Sequence, residues 1–237
     1  MSFSSFKNWG AVPNFLLSVT APRKVQVRPE SADNWSKPKK VFQESPERIL
    51  DYFEDYCRNT FFGGLAVPSF WPNFGPDVFS AFLGTELKFS KDSNSISWID
   101  WSQNILNDYK NLSCLVSAGM YREFFLEELL SEIEYLDYSI YHLDGVEALQ
   151  HLDLLLEIPK LNAIQWVCGA RFDKEGISRW FPLYRKIQAK KKSIVVYPVV
   201  EEIPLVLKNL KPEGLLIQVG CSSEDEARAV MAQLGWK

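Results

Sequence analysis

Apolar spacing divides the chain near residue 111. Beyond that point, short apolar runs at 112–116, 139–143, 163–167, 193–200 and 215–219 read as strands. Amphipathic stretches separate them. Tyr121, Phe125, Leu129, Ile133 and Leu136 fall along one predicted helix face, and Val146, Leu149, Leu152 and Leu156 along another. Further helices are predicted near 178–189 and up to Leu210. The last helix opens on a capping box, Ser223 with Glu226, and carries Ala227, Val230, Met231 and Leu234 as its apolar stripe.

Strands starting near 139, 162, 193 and 214 lie too far apart for hairpins and at the right spacing for strand–helix–strand crossovers. Their runs are apolar on both faces, as in buried parallel sheets. Such a sheet is either open and doubly wound or closed into a barrel. No Gly-rich phosphate loop follows a strand, which disfavours nucleotide binding.

The first 110 residues are irregular. A strand is predicted at 15–19, then a Pro-rich loop over 22–46 and a helix from Pro46 to about Arg58 with Ile49, Leu50, Phe53 and Tyr56 on one face. A short strand at 61–67, a turn at 71–76 and a helix at 77–83 follow. The count is five strands in the second half and at most two in the first, where a compact eight-stranded barrel takes ~250 residues. The expected fold is α/β: an incomplete (β/α)8-type TIM barrel, forming one domain over residues 1–237, with an irregular N-terminal region over residues 1–110 and β/α units over 111–237.

Composition narrows the class. Hydrophobic residues make up 46% of the 237, enough for a sizeable core. Net charge is −4, and no basic stripe with interleaved aromatics occurs, so nucleic acid is not an expected partner. The longest basic run, Lys190-Lys191-Lys192, reads as a solvated helix end. Four cysteines, at 57, 114, 168 and 221, form no C-x-x-C pair and suit a reducing compartment. No signal-peptide pattern and no run of ~20 apolar residues appears. The expectation is a cytoplasmic protein without a membrane partner.

In parallel α/β folds, chemistry gathers at the carboxyl ends of the strands. There the sequence puts His142, Asp144 and Gly145, then Gln165, Trp166 and Cys168, then Tyr197, then Gly220 and Cys221. The chain's two histidines, His142 and His151, share one strand–turn–helix. His142 offers a base or ligand nitrogen, and Asp144 projects to the same side of an extended segment. A carboxylate there can orient the imidazole, raise its pKa or share a metal with it. With Cys221, the set suits zinc with an open position. The plainer alternative is a core histidine and a helix-capping aspartate. Gln165 and Trp166 offer a polar edge and a flat face to a small-molecule substrate, although Trp166 equally suits packing. Tyr141 and Asn73, the latter in a turn that either overhangs the mouth or simply connects, complete the expected substrate contacts. Cys114 and Cys168 read as small buried hydrophobes.

The run Tyr138-Ser139-Ile140-Tyr141-His142-Leu143-Asp144-Gly145, with His151-Leu152-Asp153 and Ala163-Ile164-Gln165-Trp166-Val167 beyond it, resembles the uroporphyrinogen decarboxylase superfamily. Within it, the chain looks like a branch near the corrinoid-dependent methyltransferases. Met120-Tyr121-Arg122-Glu123-Phe124, Pro72-Asn73-Phe74-Gly75-Pro76 and Ala81-Phe82-Leu83-Gly84 are similar too, so the likeness spans roughly 15–100 and 112–235.

The resemblance implies a (β/α)8 barrel. It implies zinc held by a His-x-Cys pair and a later Cys: His142 stands at the His, Asp144 replaces the first Cys, and Cys221 stands at the later one. Zinc there lowers the pKa of a substrate thiol, which accepts a methyl group from a corrinoid on a partner protein. The decarboxylases hold a tetrapyrrole through an Arg-rich segment near the first strand, which Ala21-Pro22-Arg23-Lys24 does not match. Family chains also carry two or three β/α units that this one lacks between residues near 100 and near 112. A shortened barrel exposes a sheet edge and apolar faces, and a homodimer would cover them. The expected activity is a transferase moving a methyl group to a thiol. The alternatives are a decarboxylase (a carbon–carbon lyase) on the same barrel and a non-catalytic truncated remnant. A carboxylate glycosidase using Asp144 is a more distant option.

Overall fold

The computed structural model describes residues 15–32, 34–70, 88–89, 96–97, 116–169 and 175–236. The chain divides into two compact units: Met1–Thr20 with Gly63–Ala66 and Asn111–Lys237, and Ala21–Phe62 with Val67–Lys110.

Strands β1 (Leu16–Pro22), β2 (Thr60–Gly64), β5 (Ile140–Asp144), β6 (Ala163–Val167), β7 (Ser193–Val196) and β8 (Leu215–Gly220) form a six-stranded sheet in the order β2-β1-β8-β7-β6-β5. The short strands β3 (Lys88–Phe89) and β4 (Ile96–Ser97) pair separately and antiparallel. Pairings β5/β6, β6/β7, β7/β8 and β8/β1 are all parallel. From β5 to β8 each strand sits beside the next, and the order never reverses, unlike a doubly wound sheet.

Helices fill the crossovers: α4 (Ala118–Phe124) and α5 (Leu126–Tyr135) precede β5, α6 (Leu152–Leu156) follows it, α7 (Phe181–Ala189) and α8 (Ile203–Asn209) flank β7, and α9 (Glu224–Gln233) closes the chain. The second unit holds α1 (Pro29–Ala32), α2 (Pro38–Gln43) and α3 (Pro46–Asn59).

Register makes the two sheet faces unequal. One row runs Leu143, Trp166, Val196, Ile217, Leu17, and each of these is 2% exposed or less. Helical partners cover this side: Trp166 meets Trp180 edge-on at 5.2 Å, and α7 packs on β7. One residue back, the row runs His142, Gln165, Val195, Leu216, Leu16 on the opposite face. There His142 is exposed and Gln165 half-buried.

Several expectations are refined. The helix predicted through 121–136 breaks at Phe125, whose backbone (φ −123°, ψ −22°) leaves the helical region. The stretch after Gly145 winds as a 3-10 turn, Val146–His151, before α6. The loop expected over 22–46 contains α1 and α2, because Pro29 and Pro38 stand at helix starts, where a missing N–H costs nothing. In α3, Ser45 accepts from Arg48 N at 3.3 Å, so Pro46 opens the helix as predicted.

The basic run is not uniformly solvated. Lys192 is 8% exposed, and its ammonium donates to the carbonyls of Ile158 (2.6 Å), Pro159 (3.2 Å) and Leu161 (2.6 Å). Burial holds its pKa below the usual lysine range. The predicted turn at 71–76, helix at 77–83 and strand at 112–116, apart from Val116, lie outside the described residues.

Candidate functional site

At the carboxyl ends of β5 and β6 the chain has to turn sharply. Gly145 (φ +86°) does this after β5, and its N–H donates to Val167 O at 3.0 Å. Gly169 (φ +76°) lies beside it, and a Cβ there would sit 3.8 Å from Gly145 Cα. Side chains would be strained at both positions.

Among the described residues, the open face carries one hydrogen-bonded line. His142 Nδ1 lies 3.0 Å from Gln165 Oε1, and Gln165 Nε2 donates to the Tyr197 hydroxyl. Parallel register sets the first link by placing His142 directly opposite Gln165. Tyr197, 40% exposed, stands two residues past Val195, which pairs with Gln165, so alternation returns its ring to the same face. Asp144, two residues beyond His142, shares the face and is half-buried.

Other expected site residues go elsewhere. Trp166 is buried on the helix-covered face, 2% exposed, so the expectation that it contacts substrate beside Gln165 is corrected: adjacent strand positions point to opposite sides. Tyr141 faces that way too. Its hydroxyl lies 2.9 Å from that of Tyr121, whose ring stacks on His151 at 4.4 Å. His151 is fully buried and belongs to this packing. Asn73 lies outside the described residues.

The zinc set does not assemble. Following the register from His142 leads to Leu216, and Cys221 comes five residues later, about 16 Å further along the strand and three strands across. Alternation from Ile217 puts Cys221 with the buried face, and it is 8% exposed. Burial first, and the Glu226 charge second, push its thiol pKa up, against forming a thiolate ligand. Among the described residues, no group of three His, Cys, Asp or Glu could hold a metal ion. His142, Asp144 and Cys221 therefore do not fit the zinc that the resemblance implies. Cys57, Cys168 and Cys221 form no disulfide.

Sequence reading singled out His142, Asp144 and Gln165 but left Tyr197 out of the expected contacts. The signal for Tyr197 was its even spacing from Val195, usable only with the β6–β7 register known. The chain is thus an α/β protein built on a six-stranded, mostly parallel sheet, with a polar line on one open face. It matches no family model, no curated protein and no solved structure. No described helix is long and apolar enough to cross a membrane.

Proposed function

We propose that this is a uroporphyrinogen decarboxylase-like barrel protein that moves a methyl group to the thiol of a small molecule, with His142 as the proton acceptor. The unreversed strand order, running from β5 through β8 to β1 and β2, supports the barrel form of the fold. The single observation carrying the chemistry is the His142–Gln165 bond. With Nδ1 held against the Gln165 amide at 3.0 Å, Nε2 is the ring nitrogen left for a substrate on the open face.

In the proposed step, the substrate S–H proton passes to His142 Nε2. The sulfur attacks the methyl carbon of an activated donor, a C–S bond forms, and the donor's leaving atom keeps the electron pair of the broken bond. A methylated corrinoid on a partner protein is the donor class that the resemblance suggests. No step is assigned to zinc, because its ligands do not converge.

The charge on the face favours this reading over the lyase. Its strand positions carry Asp144 and, among the described residues, no Lys or Arg. A decarboxylase acting on a polycarboxylate would require cations there.

The test is incubation of the purified chain with a methylated corrinoid and a panel of small thiols, reading S-methyl products by mass spectrometry. His142→Gln should lower the rate by about 100-fold or more, the usual worth of a general base. Absence of any S-methyl product, or an undiminished rate in His142→Gln, would overturn the proposal.

A further inference from the structure

Beyond Tyr197 the open face continues across β8 and β1. Ser18 pairs with Gln218 and Thr20 with Gly220. Their chain neighbours Leu17, Val19, Ile217 and Val219 are 2% exposed or less on the helix-covered side. Alternation therefore turns Ser18, Thr20 and Gln218 to the open face. Carrying the β7–β8 register one residue past Val196 and Ile217 sets Tyr197 level with Gln218. His142, Gln165, Tyr197, Gln218 and Ser18 thus form one band from β5 to β1, with Thr20 just beyond it. The band crosses four strand spacings, about 19 Å. Val195, Leu216 and Leu16 make an apolar floor beside it, the first buried and the other two half-buried.

Two properties set this band apart from a merely solvated surface. Charged residues make up 24% of the chain, yet Asp144 is the only charged side chain at a described strand position of this face. In addition, no described residue hydrogen-bonds the side chains of Ser18, Thr20 or Gln218, although Ser18 and Thr20 are half-buried. An apolar floor with a few uncharged polar groups, at the carboxyl ends of parallel strands, is the make-up of a ligand site.

The side chains present define what such a site takes. Hydroxyls accept and donate, and an amide carries one group for each, so together they match a partner that does both, as an alcohol does. A carboxylate or phosphate only accepts and calls for Lys or Arg, which the strand positions of this face lack. The Asp144 charge would also repel it.

We propose that the open face binds a neutral thiol whose body is a short chain of hydroxyl-bearing rings, an oligosaccharide thiol. The sulfur lies at His142, and the body runs along Gln165, Tyr197 and Gln218 toward Ser18 and Thr20. The proposal names a substrate class for the methyl-transfer reading and rests on that reading for the thiol. The length of the band suits two linked rings better than one.

Isothermal titration calorimetry on the full chain tests it, with 1-thio-β-cellobiose as the neutral probe and glutathione as the anionic one. Each carries one thiol, and glutathione has carboxylates where the sugar has hydroxyls. Thiocellobiose should bind more tightly by about tenfold or more, the scale of two neutral hydrogen bonds. Gln218→Leu and Thr20→Val each remove a polar group at the end of the band far from His142. Each should weaken thiocellobiose binding about threefold to tenfold, and an unchanged urea midpoint shows that the variant is folded. Thiocellobiose binding no more tightly than glutathione, or an affinity unmoved by both substitutions, would overturn the proposal.

The titration needs no methyl donor. Thiocellobiose that binds as expected but is never methylated removes the reaction reading alone. Methyl transfer to glutathione in preference to thiocellobiose removes the substrate class alone.

Discussion

Lys192 offers the sharpest stability test. Its ammonium is 8% exposed and ties together the carbonyls of Ile158, Pro159 and Leu161, which lie in the turn between α6 and β6. Lys192→Met keeps the apolar stem and removes the donor. The carbonyls of Ile158 and Leu161 accept in buried surroundings, and each orphaned carbonyl costs roughly 1–3 kcal/mol. The relief of no longer desolvating an ammonium offsets some of that. The expected net loss is about 2–4 kcal/mol, read as a lowered urea midpoint at unchanged slope. Lys190→Met is the control. Lys190 is exposed and pairs with exposed Glu157 at 2.8 Å, so its loss should scarcely move the midpoint. If Lys192→Met costs no more than Lys190→Met, the carbonyl clamp is not a stabilising element and the reasoning fails.

Three further outcomes are expected. Gly64→Ala should destabilise by about 2–4 kcal/mol in chemical denaturation, because φ is +63° there and a Cβ would meet the carbonyl oxygen of Leu17 in β1. The Glu226 carboxyl is held below its usual 4.5 by bonds from the Ser222 hydroxyl and then the Ser222 N–H. That contribution is present above pH 4.5 and lost as pH falls through the lowered folded value, so Glu226→Gln should flatten the melting-temperature drop on acidification. Burial first, then the Tyr141 hydrogen bond, raises the Tyr121 phenol. Tyr121→Phe should cost about 1 kcal/mol by the same denaturation assay and leave the open face untouched.

The crossover grammar was legible because each segment's own period declares it. The runs at 139–143, 163–167 and 215–219 became β5, β6 and β8 within a residue or so, and Pro46 and Ser223 marked helix starts correctly. Even so, Glu226 turns to Ser222 and does not complete the reciprocal bond to Ser223 that the capping box predicts. The site was only half legible. His142, Asp144 and Gln165 stood out as polar residues on apolar strands. Trp166 beside Gln165, and Tyr141 beside His142, looked equally suitable until alternation sent both to the covered face.

The sequence by itself determined the parallel α/β class, the positions of β5, β6 and β8, and the placing of His142 and Gln165 near the carboxyl ends of their strands. These depend on local periodicity and on distances of a few residues, which the chain states directly. Only the tertiary structure decided that Cys221 lies far from His142, that Lys192 is buried, and that Tyr197 completes the polar line. Each of those turns on strand order and register between segments some 20 to 80 residues apart. A one-residue shift in register would exchange the two faces, and no local pattern records it.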